Sequence, residues 1–211
     1  MTGYAFTSGL RRTLHRRMAG FVPVRLADPQ LRGAAVTLLI ADCPEARQAS
    51  IVVTVRAAGL RRHGGQYALP GGRLDAGETE RGAAMRETSE ELGLDLAEAD
   101  ILGRLDDFPT RSGFCITPFV AWAPAGAALR PDPAEVARVI RIPFAQLDDP
   151  GIPVLEPSAH GDHPVMSAYF EVLGHRMYAP TAAILYQFRE IALRGETRRV
   201  SHFDQPGFAW S

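Results

Sequence analysis

The chain has 211 residues, 46% hydrophobic and 22% charged, with a formal net charge of −1. That is enough for one domain with a proper core, and it excludes a global field that would draw the protein to nucleic acid or to an anionic membrane. All 23 basic residues are arginine, which excludes lysine chemistry such as Schiff bases, and the two cysteines are too few for a disulfide framework and suit a reducing cytoplasm.

No apolar run approaches the roughly 18 residues of a membrane span. The N-terminus lacks a signal-peptide core, because its basic residues follow Leu10 instead of preceding it. Leu10, Leu14 and Met18 recur at helical spacing, which predicts a helix from Thr7 to Met18. Arg11, Arg12, Arg16 and Arg17 occupy its other sides. Either the helix packs on the body with its arginines in solvent, or it offers a partner- or anion-binding surface. Pro23 and Pro29 mark a linker. Residues 1–29 therefore read as a helical segment and linker preceding the main domain.

Two buried strands are expected at Ala34 to Ala41 and Ile51 to Val55, paired with each other. Arg56, Arg61, Arg62 and His63 then cluster beside Gly64 and Gly65, a composition suited to holding anions. Gly71 and Gly72 open a loop that runs through Gly77 to Thr79, an expected N-cap. The helix that follows ends at Gly93, where a left-handed residue is commonly needed. At 3.6 residues per turn, Glu87 and Glu91 lie about 40° apart around its axis and Glu90 about 60° to the other side of Glu87. Glu80 projects the same way, while Ala84, Thr88 and Leu92, with Met85 beside them, can be buried. Buried Thr88 needs a hydroxyl partner such as its own helix carbonyl. Such a face is either solvated or a hard-cation site, because Mg2+ and Mn2+ take oxygen ligands.

Further strands are expected at Ile101 to Phe108, Phe114 to Trp122 and Glu135 to Ile142, with a short turn or helix at Pro143 to Leu147. Glu135 reads either as a strand-edge carboxylate or as a further ligand or base. Gly151 to Pro164 reads as irregular. Its His160 and His163 lack the further ligands a zinc site needs. A hairpin is expected from Ser167 to Leu173 and Arg176 to Tyr178, and a last helix from Pro180 to Arg194. The tail from Gly195, with Phe203, Phe208 and Trp210, either folds back on the body or joins a homodimer.

The run Gly72, Glu78, Arg86-Glu87, Glu90-Glu91, Gly93-Leu94 resembles the Nudix box of the Nudix hydrolases at every charged and glycine position. Thr88 departs from it, since the family usually has an aliphatic residue there. Upstream, Val52-Val53-Thr54, Arg56-Ala57, Arg61, Gly65 and Leu69-Pro70-Gly71-Gly72 resemble the additional motif of coenzyme A diphosphatases, with Leu69 in place of the usual phenylalanine. Ser112-Gly113 followed by Thr117-Pro118 looks like the same group. Pro109, 15 residues beyond Leu94, instead resembles ADP-ribose diphosphatases. Where relatives usually carry a tryptophan-glycine pair, Tyr178-Ala179 stand here.

The resemblance implies an α/β class fold, a Nudix α/β/α sandwich with a mixed central sheet, over roughly residues 30–195. It implies hydrolysis of the diphosphate of coenzyme A or its thioesters, or alternatively of ADP-ribose or another nucleoside-diphosphate-linked compound. A lesser alternative is a non-catalytic nucleotide-binding module. It implies that Glu87, Glu90 and Glu91 hold Mg2+ or Mn2+ and that Glu87 or Glu90 serves as general base. Arg86, counted with the catalytic set, pairs with Glu78 or Glu90 and fixes the loop. The backbone of Gly71 and Gly72 approaches the phosphates. Arg56, Arg61 and Arg62 are candidates to bind the 3′-phosphate or the diphosphate.

Overall fold

The computed structural model of the chain describes residues 3–57, 66–159 and 162–206. Helix α1 (Ser8–Ala19) starts where Thr7 caps it, its hydroxyl accepting from the Leu10 amide at 3.2 Å. Its apolar stripe buries Leu14 and Met18. Two of its arginines are not left to solvent: Arg11 reaches the Ala99 carbonyl, and Arg17 donates to the carbonyls of Ala192 and Leu193 near the other end of the chain.

The central sheet is assembled from β1 (Arg32–Cys43), β2 (Gln48–Arg56), β3 (Tyr67–Ala68), β4 (Gly71–Arg73), β5 (Ile101–Arg104), β6 (Phe108–Pro109), β7 (Phe114–Trp122) and β8 (Val136–Pro143). Its main order is β3-β2-β1-β7-β5; β8 pairs with β2, β6 with β7, and β4 with β1. The β1–β7 pair is parallel and the others antiparallel, so the sheet is mixed. β1 pairs with β2 through Ile40 to Cys43 but with β4 through Ala34 to Val36. That exchange of neighbours sets Gly71 and Gly72 into the sheet, with Gly72 beside Glu87 in the second half of helix α2 (Glu80–Leu92).

Strand alternation sends Leu38 and Ile40 to one face of β1 and Leu39 and Ala41 to the other, and all four are buried. The first face packs Ile51, Val53, Val120 and Trp122 against Leu14 and Met18 of α1 and the C-terminal helix. The second packs Val52, Ala121 and Ala123 against Leu92, Leu94 and Leu96, with Ala83, Ala84 and Phe119 beside them. Helices thus cover both faces, as the α/β/α expectation requires.

The remaining elements are α3 (Phe144–Leu147), a small sheet ordered β11-β10-β9 from β9 (Val154–Glu156), β10 (Val165–Phe170) and β11 (His175–Tyr178), and α4 (Thr181–Phe188). Four expectations need correction. The strand expected over residues 101–108 breaks between β5 and β6, where Asp106 and Asp107 turn inward and accept the Val24 and Leu26 amides at 2.7 and 2.9 Å. The linker is thereby pinned along the body. The segment read as irregular contributes β9. β10 ends at Phe170, with a turn carrying buried Leu173 before Gly174. The last helix changes to π geometry at Arg189–Arg194, where the buried Arg189 guanidinium reaches the carbonyls of Asp149 and Ile152.

The N-terminal segment shares the main core. Phe6 stacks on Trp122 with centroids 4.2 Å apart, and the Tyr4 hydroxyl donates to Asp148 at 2.6 Å. The tail folds back through buried Val200 and Phe203, and Asp204 bridges to Val165. His160, Phe208 and Trp210 lie outside the described residues. Among the described residues no helix is long and apolar enough to cross a membrane.

Candidate active site

Helix α2 carries the acidic residues, and its ends are closed as the sequence suggests. The Thr79 hydroxyl accepts the Gly82 amide at 3.1 Å, and Gly93 adopts φ 60°. The loop before β8 then satisfies the carbonyls left open at the C-terminal end. The Arg130 amide donates to the Leu92 carbonyl at 2.7 Å and the Asp132 amide to that of Glu91 at 3.1 Å. This tie brings Glu135 back over the helix, where its own carbonyl takes the Ala57 amide at 2.8 Å.

The result is a trio not foreseen in that composition. One carboxylate oxygen each from Glu87, Glu91 and Glu135 lies within 4.8 Å of the others. Glu90, expected in the trio, stands outside it; its carboxylate takes Arg86 Nη1 at 2.8 Å and its side chain is 53% exposed. Glu135, read from the sequence either as a strand-edge acid or as a further ligand or base, takes the third place. The spacing on α2 cannot show this, because Glu135 comes from another layer of contacts 44 residues beyond Glu91.

Glu91 is 2% exposed. One of its oxygens is 3.5 Å from Arg56 Nη1, and the other, Oε2, is buried without a hydrogen-bond partner. Burial pushes its carboxyl up to about 7; Arg56 opposes the rise, and Glu87 and Glu135 add to it. Glu87 is also held above the ordinary carboxylate range by burial, against the pull of Arg86. An orphan buried oxygen on one of three clustered carboxylates is costly without a cation. An oxygen-only donor set of this kind fits a hard divalent ion.

Arg86 binds Glu78 through two bonds, at 3.0 and 3.1 Å. It also reaches Glu87 at 2.9 Å, Glu90 at 2.8 Å and the Arg73 carbonyl at 3.1 Å. Glu78 in turn accepts the Asp75 amide at 3.0 Å, closing the loop, and Arg86 holds its carboxyl below the ordinary range. Both expected partners of Arg86 are found, and its donors face the protein's own acids.

Gly71 and Gly72 lie at the site, with a tighter reason than access for phosphates. A Cβ on Gly72 would sit 2.2 Å from Glu87 Oε1, and one on Gly71, at φ +154°, would meet the Ala35 carbonyl oxygen at 2.3 Å. Thr88 settles its buried hydroxyl on the Ala84 carbonyl at 2.7 Å and on Thr37 Oγ1 at 2.9 Å.

The trio forms part of the wall of a cleft of about 870 Å³. Arg56, Gln66 and Tyr67, from the two ends of the β2–β3 connection, line it. So do Phe114, lying near the Arg32 and Arg73 guanidinium groups at 4.1 and 5.1 Å from its centroid, and β11 with the start of α4. The β11 wall had no signal in the sequence beyond the departure at Tyr178-Ala179. Arg61 and Arg62 lie outside the described residues.

The sequence pattern of the NUDIX domain matches residues 31–169. A Photorhabdus laumondii protein named uncharacterized Nudix hydrolase NudL is 33% identical over 80% of this chain and 88% of its own length. One of the same name from Cronobacter sakazakii is 34% identical over 64% of this chain and 71% of its own. The crystal structure of a MutT/nudix family protein from Enterococcus faecalis is similar over 77% of this chain and 64% of that one, with 16% identity and a TM-score of 0.48. On the matched domain and the 33% identity to a relative aligned over most of both chains, this chain belongs to the Nudix hydrolase family.

Proposed function

We propose that the protein hydrolyses the diphosphate bond of coenzyme A or its thioesters. The products are 4′-phosphopantetheine, or its acyl form, and adenosine 3′,5′-bisphosphate. The observation that carries this reading is the position of the β2–β3 connection. Arg56 at its start and Gln66 and Tyr67 at its end line the same cleft as the acidic trio. The arginine-rich segment whose pattern resembles coenzyme A diphosphatases is therefore anchored at both ends beside the candidate chemistry. The cleft volume, about 870 Å³, is toward the upper end for small-molecule sites and suits a substrate longer than a mononucleotide.

In this reading Glu87, Glu91 and Glu135 hold Mg2+ or Mn2+. Such an ion, when bound, neutralises phosphate charge and makes water more nucleophilic. Arg86 positions Glu87 and Glu90 and touches no reacting atom. Glu90, on the cleft but outside the trio, takes the proton as water attacks one phosphorus and the bridging P–O bond breaks. Arg56, which lines the cleft, receives the anionic end of the substrate, together with Arg61 and Arg62 as the sequence resemblance implies. The Gly71-Gly72 backbone keeps room for Glu87.

The test is a product analysis by mass spectrometry, with coenzyme A, ADP-ribose and a nucleoside triphosphate offered in parallel with Mg2+ or Mn2+. Phosphopantetheine should appear fastest. Faster turnover of ADP-ribose would move the substrate assignment to that class and remove the weight placed on the β2–β3 connection.

A further inference from the structure

Two arginines face the acids of the site, and they are held differently. Arg86 is locked by bonds of 2.8 to 3.1 Å to Glu78, Glu87, Glu90 and a carbonyl. Arg56 approaches Glu91 at 3.5 Å, longer than the 2.7–2.9 Å usual for a charge-assisted hydrogen bond. Its side chain is 29% exposed and lines the cleft. The register of β2 against β8 slips between Val55 and Arg56, so that Arg56 pairs with Val136, next to Glu135. A slip of this kind re-aims a side chain. Among the described residues Arg56 is the cation within ion-pair distance of Glu91, and Glu91 Oε2 remains buried and unpartnered. The guanidinium thus offsets part of the trio's charge without satisfying its donors.

We infer that Arg56 is an exchangeable internal counterion: it occupies the acidic trio when no divalent cation is bound, competes with the cation for Glu91, and is released toward the cleft when the cation enters. The order of assembly follows. The cation binds first and in doing so frees a guanidinium for the anionic substrate, so an anion meets an Arg56 released from Glu91 only in a loaded site. Arg56 is a substrate-binding residue in this scheme, and its exchange couples the binding of two ligands. The inference rests on the cation reading of Glu87, Glu91 and Glu135.

The experiment is a calorimetric Mn2+ titration of the metal-free full chain in alkaline buffer, with a thermal melt of each protein with and without Mn2+. Arg56→Met should bind Mn2+ at least about fivefold more tightly than wild type, the lower end of typical coupling between sites. Its metal-free form should melt lower and its Mn2+-induced rise in Tm should be larger. Arg176→Met removes another cleft arginine, one paired with Glu156 away from the trio. It should stay within about twofold of wild type, as expected for loss of an exposed pair. Unchanged or weaker Mn2+ binding by Arg56→Met overturns the exchange, and so does an equal gain by Arg176→Met, which would assign the effect to the general field. If Arg56→Met does not fold, Arg56→Lys decides: tighter Mn2+ binding than wild type supports the exchange and weaker binding overturns it. Glu91→Gln separates the two levels. If that variant binds Mn2+ as well as wild type, the cation reading itself fails, whatever Arg56 does.

Discussion

Glu87 Oε1 fills the space a Cβ on Gly72 would need, at 2.2 Å. Gly72→Ala should therefore push the Glu87 carboxylate away from the trio. The expected outcome is a 10–100-fold loss of Mn2+ affinity, the usual range for disturbing groups that orient metal ligands. A Mn2+ titration checks it, with circular dichroism to show that the fold persists. Glu91→Gln should cut cation-dependent turnover by at least about a hundredfold, since it removes a buried ligand charge without changing side-chain volume. Wild-type turnover in that variant would remove Glu91 from the site. Thr88→Val tests the departure from the family pattern. Thr37 keeps its own bond to the Ala84 carbonyl at 3.1 Å. The lost hydroxyl should thus shift stability by no more than about 1 kcal/mol, measured by urea unfolding.

At the scale of elements, two connections do work that their composition does not announce. The loop before β8 closes the C-terminal end of α2 through the Arg130 and Asp132 amides, and this delivers Glu135. The segment 21–26, which reads as a linker, is held by Asp106 and Asp107 and lies over the same side as α1. Asp106 is also bound by Gln187 at 2.6 Å and by Arg199, so it joins both ends of the chain to the body. Removing residues 1–20 should therefore unfold the protein. Leu14 and Met18 alone bury side chains worth about 1.5–3 kcal/mol each. Their loss, with that of Tyr4 and Phe6, takes up much of a typical stability of about 5–15 kcal/mol. A truncated chain with a wild-type melting curve would refute this view of α1 as part of the core.

The whole molecule should show the acidic trio in its pH dependence. Glu91 has an ordinary value of 4.5 and is raised to about 7 in the fold, so the folded state binds more protons than the unfolded one between those limits. That contribution to stability is present below about 4.5 and is lost as pH rises through about 7. It amounts to at most about 3 kcal/mol. Because cation binding needs the deprotonated carboxylates, the rise in Tm on adding Mn2+ should grow over the same interval. A Mn2+-induced shift independent of pH from 5 to 8 would contradict the placement of Glu91 in the cation site. At lower pH the groups held below their ordinary range, Glu78, Asp148 and Asp204, act in the opposite sense. Their stabilisation is lost as pH falls.

Taken alone, the sequence determined what local rules can carry. Thr79 and Gly93 mark the ends of α2 by capping chemistry and the left-handed conformation. The continuous apolar, β-branched runs of β1 and β2 mark buried strands, and the order of Glu87, Glu90 and Glu91 marks an acidic helix of a recognisable family. Strand Phe114–Trp122 is legible to the residue. What only the tertiary structure decided are the placements made by contacts far apart in the chain. Helical spacing puts both Glu90 and Glu91 on the Glu87 side of α2, but Arg86 takes Glu90 aside, and a loop tied to the α2 carbonyls brings in Glu135. Asp106 and Asp107 read as strand residues, yet unpaired amides at Val24 and Leu26 draw them inward and break the strand. The physical reason is the same in each case. A periodicity states which way a side chain points, whereas its partner, and with it its charge state and role, depends on which distant donor must also be satisfied.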